Sequence, residues 1–101
     1  MKVKRLGTFG VDSGQFMIVD PAYLDTWKDN EFSPDDSVVC EFSYSGACCT
    51  SLAGGGSLVN KIGVRLAVVG STGVDGEYAV DAHIDKEGRI RKIEVTFGEG
   101  E

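Results

Sequence analysis

The sequence predicts an all-β fold, a small antiparallel sandwich or open barrel of six to seven strands with one short helix near 21–29. Three observations carry this. Fourteen of the 101 residues are glycine, about double the usual share, and they fall between short apolar runs. Apolar and polar residues alternate with period two in several of those runs, as half-buried strands require. Turn signals recur roughly every ten residues, which is the spacing of small sandwiches and barrels. No segment sustains helical periodicity for long, and none repeats. The length fits a single β domain over 1–101.

Taken in order, Lys2 to Phe9 alternates as a strand, and Gly10 to Gly14 turns the chain. Asp12 and Ser13 hydrogen-bond their own backbone in such turns, and Gly14 tolerates positive φ. Gln15 to Val19 returns as a second strand, so the first two strands are expected to form an antiparallel hairpin. Asp20-Pro21 closes it, because proline donates no ladder bond and biases its predecessor toward extended backbone. Asp20 is also a good N-cap with Pro21 at the first helical position. Tyr23, Leu24 and Trp27 then share one side at helical spacing. Asn30 to Ser37 is a polar, acidic loop.

Val38 to Tyr44 is β-branched and aromatic and reads as a strand. Ser45 to Ser57 is built of small residues apart from Leu52; it admits a strand through Ala47–Leu52 that ends in the flexible Gly54-Gly55-Gly56 turn. Leu58 to Val69 alternates Ile62, Val64, Leu66 and Val68 with polar or small residues and reads as the clearest strand of the chain. Gly70 to Gly76 is a turn cluster, and Glu77 to Asp85 is a half-buried strand. Asp85 to Gly88 is a hairpin turn, and Arg89 to Phe97 pairs back with Ile93, Val95 and Phe97 inward. The tail Gly98–Glu101 is expected to fray.

Sixteen acidic against ten basic side chains give a net charge of −6. That argues against nucleic acid, which is held by Lys and Arg; it suits cations, basic proteins or solubility. The imbalance is local: Asp12 to Glu41 holds eight acidic residues and one lysine, Lys28, whereas the last strand carries Arg89, Arg91 and Lys92. Met1-Lys2-Val3-Lys4-Arg5 is charged like a signal n-region but has no apolar h-region behind it, and no run is long enough to span a membrane. A cytoplasmic location is the expectation. Three cysteines, two adjacent, do not make a secreted disulfide framework. Reduced thiols are expected, although Cys40–Cys48 could bridge on spacing alone.

Three segments carry a resemblance. Gly10-Val11-Asp12-Ser13-Gly14-Gln15 through Val19-Asp20-Pro21-Ala22-Tyr23-Leu24 comes first, then Phe42-Ser43-Tyr44-Ser45-Gly46-Ala47-Cys48. The third is Ser71-Thr72-Gly73-Val74-Asp75-Gly76-Glu77-Tyr78-Ala79-Val80. In order and spacing they resemble a family of small bacterial and phage proteins known as a domain of unknown function. Its members tend to show Gly-Asp-Gly-x-Tyr-Pro-Val at the third site, where this chain has Val74 before Asp75 and Ala79 in place of proline. The resemblance implies a β fold and a bacterial or phage origin, and no activity.

The candidate ligand-binding residues are Asp12, Ser13, Asp20, Tyr44, Cys48, Asp75, Glu77 and Tyr78. The turn carboxylates Asp12, Asp20, Asp75 and Glu77 are hard oxygen ligands of the kind that Ca²⁺ or Mg²⁺ needs, but the alternate-residue spacing of a calcium loop is absent. Each Asp is better explained as organising its own turn or cap. Asp12 and Asp20 bracket a five-residue strand, and ~3.3 Å per residue puts them about 20 Å apart, too far to share a ligand readily. Asp12 is better matched to the Asp75–Tyr78 turn.

Cys48 or Cys49 could act as a nucleophile with His83, the only histidine, as base. No hydrolase signature surrounds them, and buried cysteines are commonly structural. Cys40, Cys48, Cys49 and His83 lack paired zinc spacing. Neither Gly54–Ser57 nor Gly70–Gly73 has the ending of a phosphate loop. Tyr23, Trp27, Phe42, Tyr44 and Tyr78 fit a core better than a flat-ligand pocket.

No catalytic residue, metal or cofactor is therefore assigned. The expectation is a small binding or interaction domain, from a phage or bacterium, that binds or sequesters a host protein or a small polar ligand through its turn-rich end. Neither nucleic acid nor membrane is expected as a partner, and exposed edge strands allow a homodimer. The rival is a metal-dependent or cysteine hydrolase using the turn carboxylates or Cys48.

Overall fold

The computed structural model describes residues 1–97, so the expected fraying of Gly98–Glu101 lies outside the described residues. The fold is all-β, with six strands in two three-stranded antiparallel sheets and one short α-helix. By contacts the chain divides into two compact units, residues 15–71 and the remainder.

The unit formed by the two ends of the chain holds strands β1 (Lys2–Val11), β5 (Gly76–Ile84) and β6 (Ile90–Val95), in the order β1-β5-β6. The expected hairpin of the first two strands does not form. The ten-residue β1 finds a partner of matching length in β5, with Phe9 opposite Tyr78 and Lys2 opposite Ile84. One face gathers Tyr78, Val80, Ala82 and Ile84, of which Tyr78 and Ala82 are buried. Phe9, Tyr78 and Phe97 pack as a ring trio with centroids 5.0 to 6.3 Å apart. The other face is polar: Arg5 Nε donates to Asp81 at 2.8 Å, and His83 Nε2 lies 2.9 Å from Glu94 Oε1. Asp85–Gly88 makes the β5–β6 turn as the sequence indicates, with Gly88 at φ +82° and Asp85 Oδ1 accepting from Glu87 and Arg89 N–H.

The 15–71 unit holds β2 (Gln15–Val19), a 3₁₀ helix (Pro21–Thr26), a 3₁₀ turn (Asp36–Val38), α1 (Tyr44–Leu52), β3 (Gly56–Val59) and β4 (Arg65–Ser71). Its sheet order is β2-β4-β3, with Met17 opposite Val69 and Leu58 opposite Ala67. The short helix expected near 21–29 is the 3₁₀ helix, and Asp20 caps it by accepting from Ala22 N–H at 2.9 Å. The core is Phe42, Ala47, Leu58, Leu66, Ala67 and Val69, flanked by Met17, Val19 and Trp27.

Two expected strands are corrected in this unit. Val38–Tyr44 is not a ladder strand. Asp35 caps the 3₁₀ turn, Cys40 takes φ +71°, and Glu41 and Ser43 make only isolated bridges to Val59 and Lys28. Nor does Ala47–Leu52 form a strand; it lies in α1. Ser43 starts that helix, its Oγ accepting from Gly46 N–H at 2.9 Å. Small side chains then let the helix lie close to its neighbours: a Cβ on Gly46 would collide with the Glu41 carbonyl oxygen. Leu58–Val69, read as one strand, is a hairpin. Asn60 breaks it, its Oδ1 accepting from both Ile62 and Val64 N–H while Gly63 sits at φ +86°.

Candidate functional site

The expected site residues separate by unit. Asp12, Ser13, Asp75, Glu77 and Tyr78 belong to the β1-β5-β6 unit, and Asp20, Tyr44 and Cys48 to the 15–71 unit. The turn at Asp12–Gly14 and the turn after Thr72 do meet. Thr72 N–H donates to the Gly14 carbonyl at 2.8 Å, and a Cβ on Gly14 would lie 3.8 Å from Asp75 Oδ1. Their polarity is largely spent on structure. Glu77 accepts from Thr8 Oγ1, and the buried Tyr78 donates its hydroxyl to Val74 O at 2.6 Å, pinning the 74–77 turn. Asp12, Ser13 and Asp75 are exposed. Among the described residues no three His, Cys, Asp or Glu side chains are placed to hold a metal ion together.

Tyr44 and Cys48 are one helical turn apart on α1, with their side chains close enough to interact. Cys48 Sγ also accepts from Gln15 Nε2 at 3.2 Å, and Gln15 Oε1 accepts from Ser51 Oγ at 3.0 Å, which fixes the amide. The interaction with Cys48, then burial and Asp29, push the Tyr44 hydroxyl above its ordinary pKa. His83 is engaged by Glu94 within its own sheet. The neighbours of Cys48 are thus an amide and a phenol, neither of them a base for a thiol. All three cysteines are free.

The most apolar concave feature among the described residues is a groove in the 15–71 unit of about 600 Å³. It lies between the 3₁₀ helix, which contributes Ala22, Tyr23 and Thr26, and the β3–β4 turn, which contributes Asn60, Lys61, Ile62 and Val64. Phe42, Val59 and Leu66 complete its apolar lining. Trp27 packs behind it, edge-to-face on Phe42 at 5.1 Å. Ile62 is 85% exposed and Val64 43%, so the turn presents apolar surface to solvent. Isolated exposed apolar residues are ordinary; a row of them along a groove is not.

The groove's lining carries three charged side chains, Lys61 on the β3–β4 turn and the ion pair of Lys28 Nζ to Glu41 Oε1 at 3.3 Å. Glu41 is the better held of that pair. Ser43 Oγ donates to its Oε2 at 2.8 Å, its carbonyl lies against Gly46, and its backbone bridges to Val59. That hydrogen bond from Ser43 keeps the Glu41 carboxyl below its ordinary pKa; desolvation opposes the shift and Lys28 assists it.

None of these groove residues is among the expected site residues, although Tyr23 and Phe42 are two of the aromatics considered for a flat-ligand pocket and assigned to a core; Phe42 is core, whereas Tyr23 is 38% exposed. The sequence carried a weak signal: a single glutamate inside the apolar run Val38–Tyr44, and an exposed isoleucine in an Asn60–Gly63 turn. A scan against family models, and searches of curated proteins and of solved structures, find no match to this chain.

Proposed function

We propose that the protein is a non-enzymatic binding module whose groove, between the Pro21–Thr26 helix and the β3–β4 turn, takes an apolar segment of another protein. The observation that carries this is the groove itself: an open cleft of about 600 Å³ with an apolar lining, continued outward by Ile62 and Val64. Binding clefts are concave and mostly apolar, with a few placed polar groups, and Lys28 and Glu41 supply those. The lining favours apolar side chains over a small polar ligand. It also moves the expected binding surface from the Asp-rich turns to the 15–71 unit. Sequestering a host factor, as a phage or bacterial protein would, is the wider role that fits this reading. The polar neighbours of Cys48 support binding over thiol hydrolysis.

The test is nuclear magnetic resonance titration with capped, leucine-rich pentapeptides. Shifts clustered at Phe42, Val59, Ile62 and Val64, lost in an Ile62→Asp variant that keeps the wild-type spectrum elsewhere, are expected. Shifts confined to Asp12–Gly14 and Thr72–Tyr78, or none at all, would reject the groove.

A further inference from the structure

We propose, building on the groove reading above, that the groove recognises a single arginine set among apolar residues of the partner, with Glu41 as the residue that selects it. Glu41 is held in place before any ligand arrives. Ser43, itself fully buried, fixes one carboxylate oxygen, and the backbone of Glu41 is fixed by the Val59 bridge and the close approach of Gly46. Among the described residues the second oxygen meets Lys28 alone, whose side chain is 62% exposed and lies at 3.3 Å. Exposed pairs of this kind contribute little, so an incoming cation exchanges with Lys28 at small cost. A guanidinium has the advantage in that exchange, because its planar fork offers more than one N–H to a carboxylate.

The wider charge of the unit, beyond a lining whose charged side chains are Lys28, Glu41 and Lys61, favours the same partner. Residues 15–71 hold seven Asp and Glu against three Lys and Arg, and Asp20, Asp25 and Asp29 all fall on or beside the 3₁₀ helix that forms one side. Lys61, on the turn opposite, sets the limit. It repels a run of positive charge, so the occupant is one basic residue flanked by apolar ones and not a polybasic tract.

The experiment compares two capped pentapeptides with leucine on either side of a central residue, arginine in one and its neutral isostere citrulline in the other. Calorimetry on the full chain is expected to show the arginine peptide binding about tenfold tighter, the size of a charge-assisted hydrogen bond. Glu41→Gln, which keeps an oxygen for Ser43, should equalise the two, and Lys28→Met should tighten the arginine peptide selectively. Equal affinities in the wild type, or a preference that survives Glu41→Gln, would overturn the role of Glu41 while leaving the groove reading intact. If neither peptide binds, both fall together.

Discussion

The two units reach stability by different means. The β1-β5-β6 unit uses long, regular strands, a trio of aromatic rings on one face and ion pairs on the other. The 15–71 unit uses short strands and a helix of small residues pressed against its neighbours. In the first, bulk fills space. In the second, closeness does, and the space left over becomes a groove. What differs is therefore tolerance: a strand of the first unit accepts added atoms where the helix of the second does not.

Glycine exposes that difference most sharply. Gly46→Ala places a Cβ on the Glu41 carbonyl and should destabilise by about 2–3 kcal/mol, overpacking outweighing the gain in helix propensity. Gly10→Ala in β1 meets nothing within 4 Å and should be neutral or stabilising by up to about 1 kcal/mol. Urea denaturation of both variants measures the contrast; similar effects would erase it.

Ser43→Ala comes next. It removes the cap of α1 and a hydrogen bond to Glu41 together, and about 1–2 kcal/mol is expected by the same measurement. The paired loss is specific to this unit: a change in stability with no shift in the resonances of Glu41 would mean that the cap acts alone.

The smallest effect belongs to the polar face of the other sheet. The hydrogen bond from Arg5 lowers the Asp81 pKa, and the hydrogen bond with His83 lowers that of Glu94. A carboxylate depressed in the folded state contributes stability that is fully present above its unfolded value, about 4, and is lost as pH falls through the folded one. Thermal stability should therefore drop on acidification below about pH 4, with a shallower drop in Arg5→Met. Because Arg5 and Glu94 are exposed and Asp81 is only partly covered, screening keeps the effect slight, and added salt should shrink it further. An identical acid limb in Arg5→Met would remove the pair from the account.

These contrasts also explain what was legible in the sequence. β5, the Asp85–Gly88 turn and the pairing of β6 follow from alternation and turn chemistry, and the Asp20-Pro21 cap from local hydrogen bonding, but Ile93, expected inward, is 48% exposed on an edge strand. The helix at Tyr44–Leu52 was hidden because its buried positions are Ser45, Gly46, Ala47, Cys49, Thr50 and Ser51, which leave no apolar stripe to count. The hairpin at Asn60–Val64 was hidden because alternation runs straight through it, and only the side chain of Asn60, bonding two backbone N–H groups, stops the strand. Strand pairing was the least readable. β1 and β2 are neighbours in sequence but find partners in β5 and β4, a choice set by contacts far along the chain. The groove followed from these same elements and was hidden with them.

The close seat of Gly46 also constrains variation. A pool of sequences randomised across α1 and selected only for folding should converge on glycine at this one position. Its neighbours Ala47, Cys49 and Thr50 would drift among residues of similar volume. Position 46 would then hold nearly all the information in the helix, although it contributes no side chain at all.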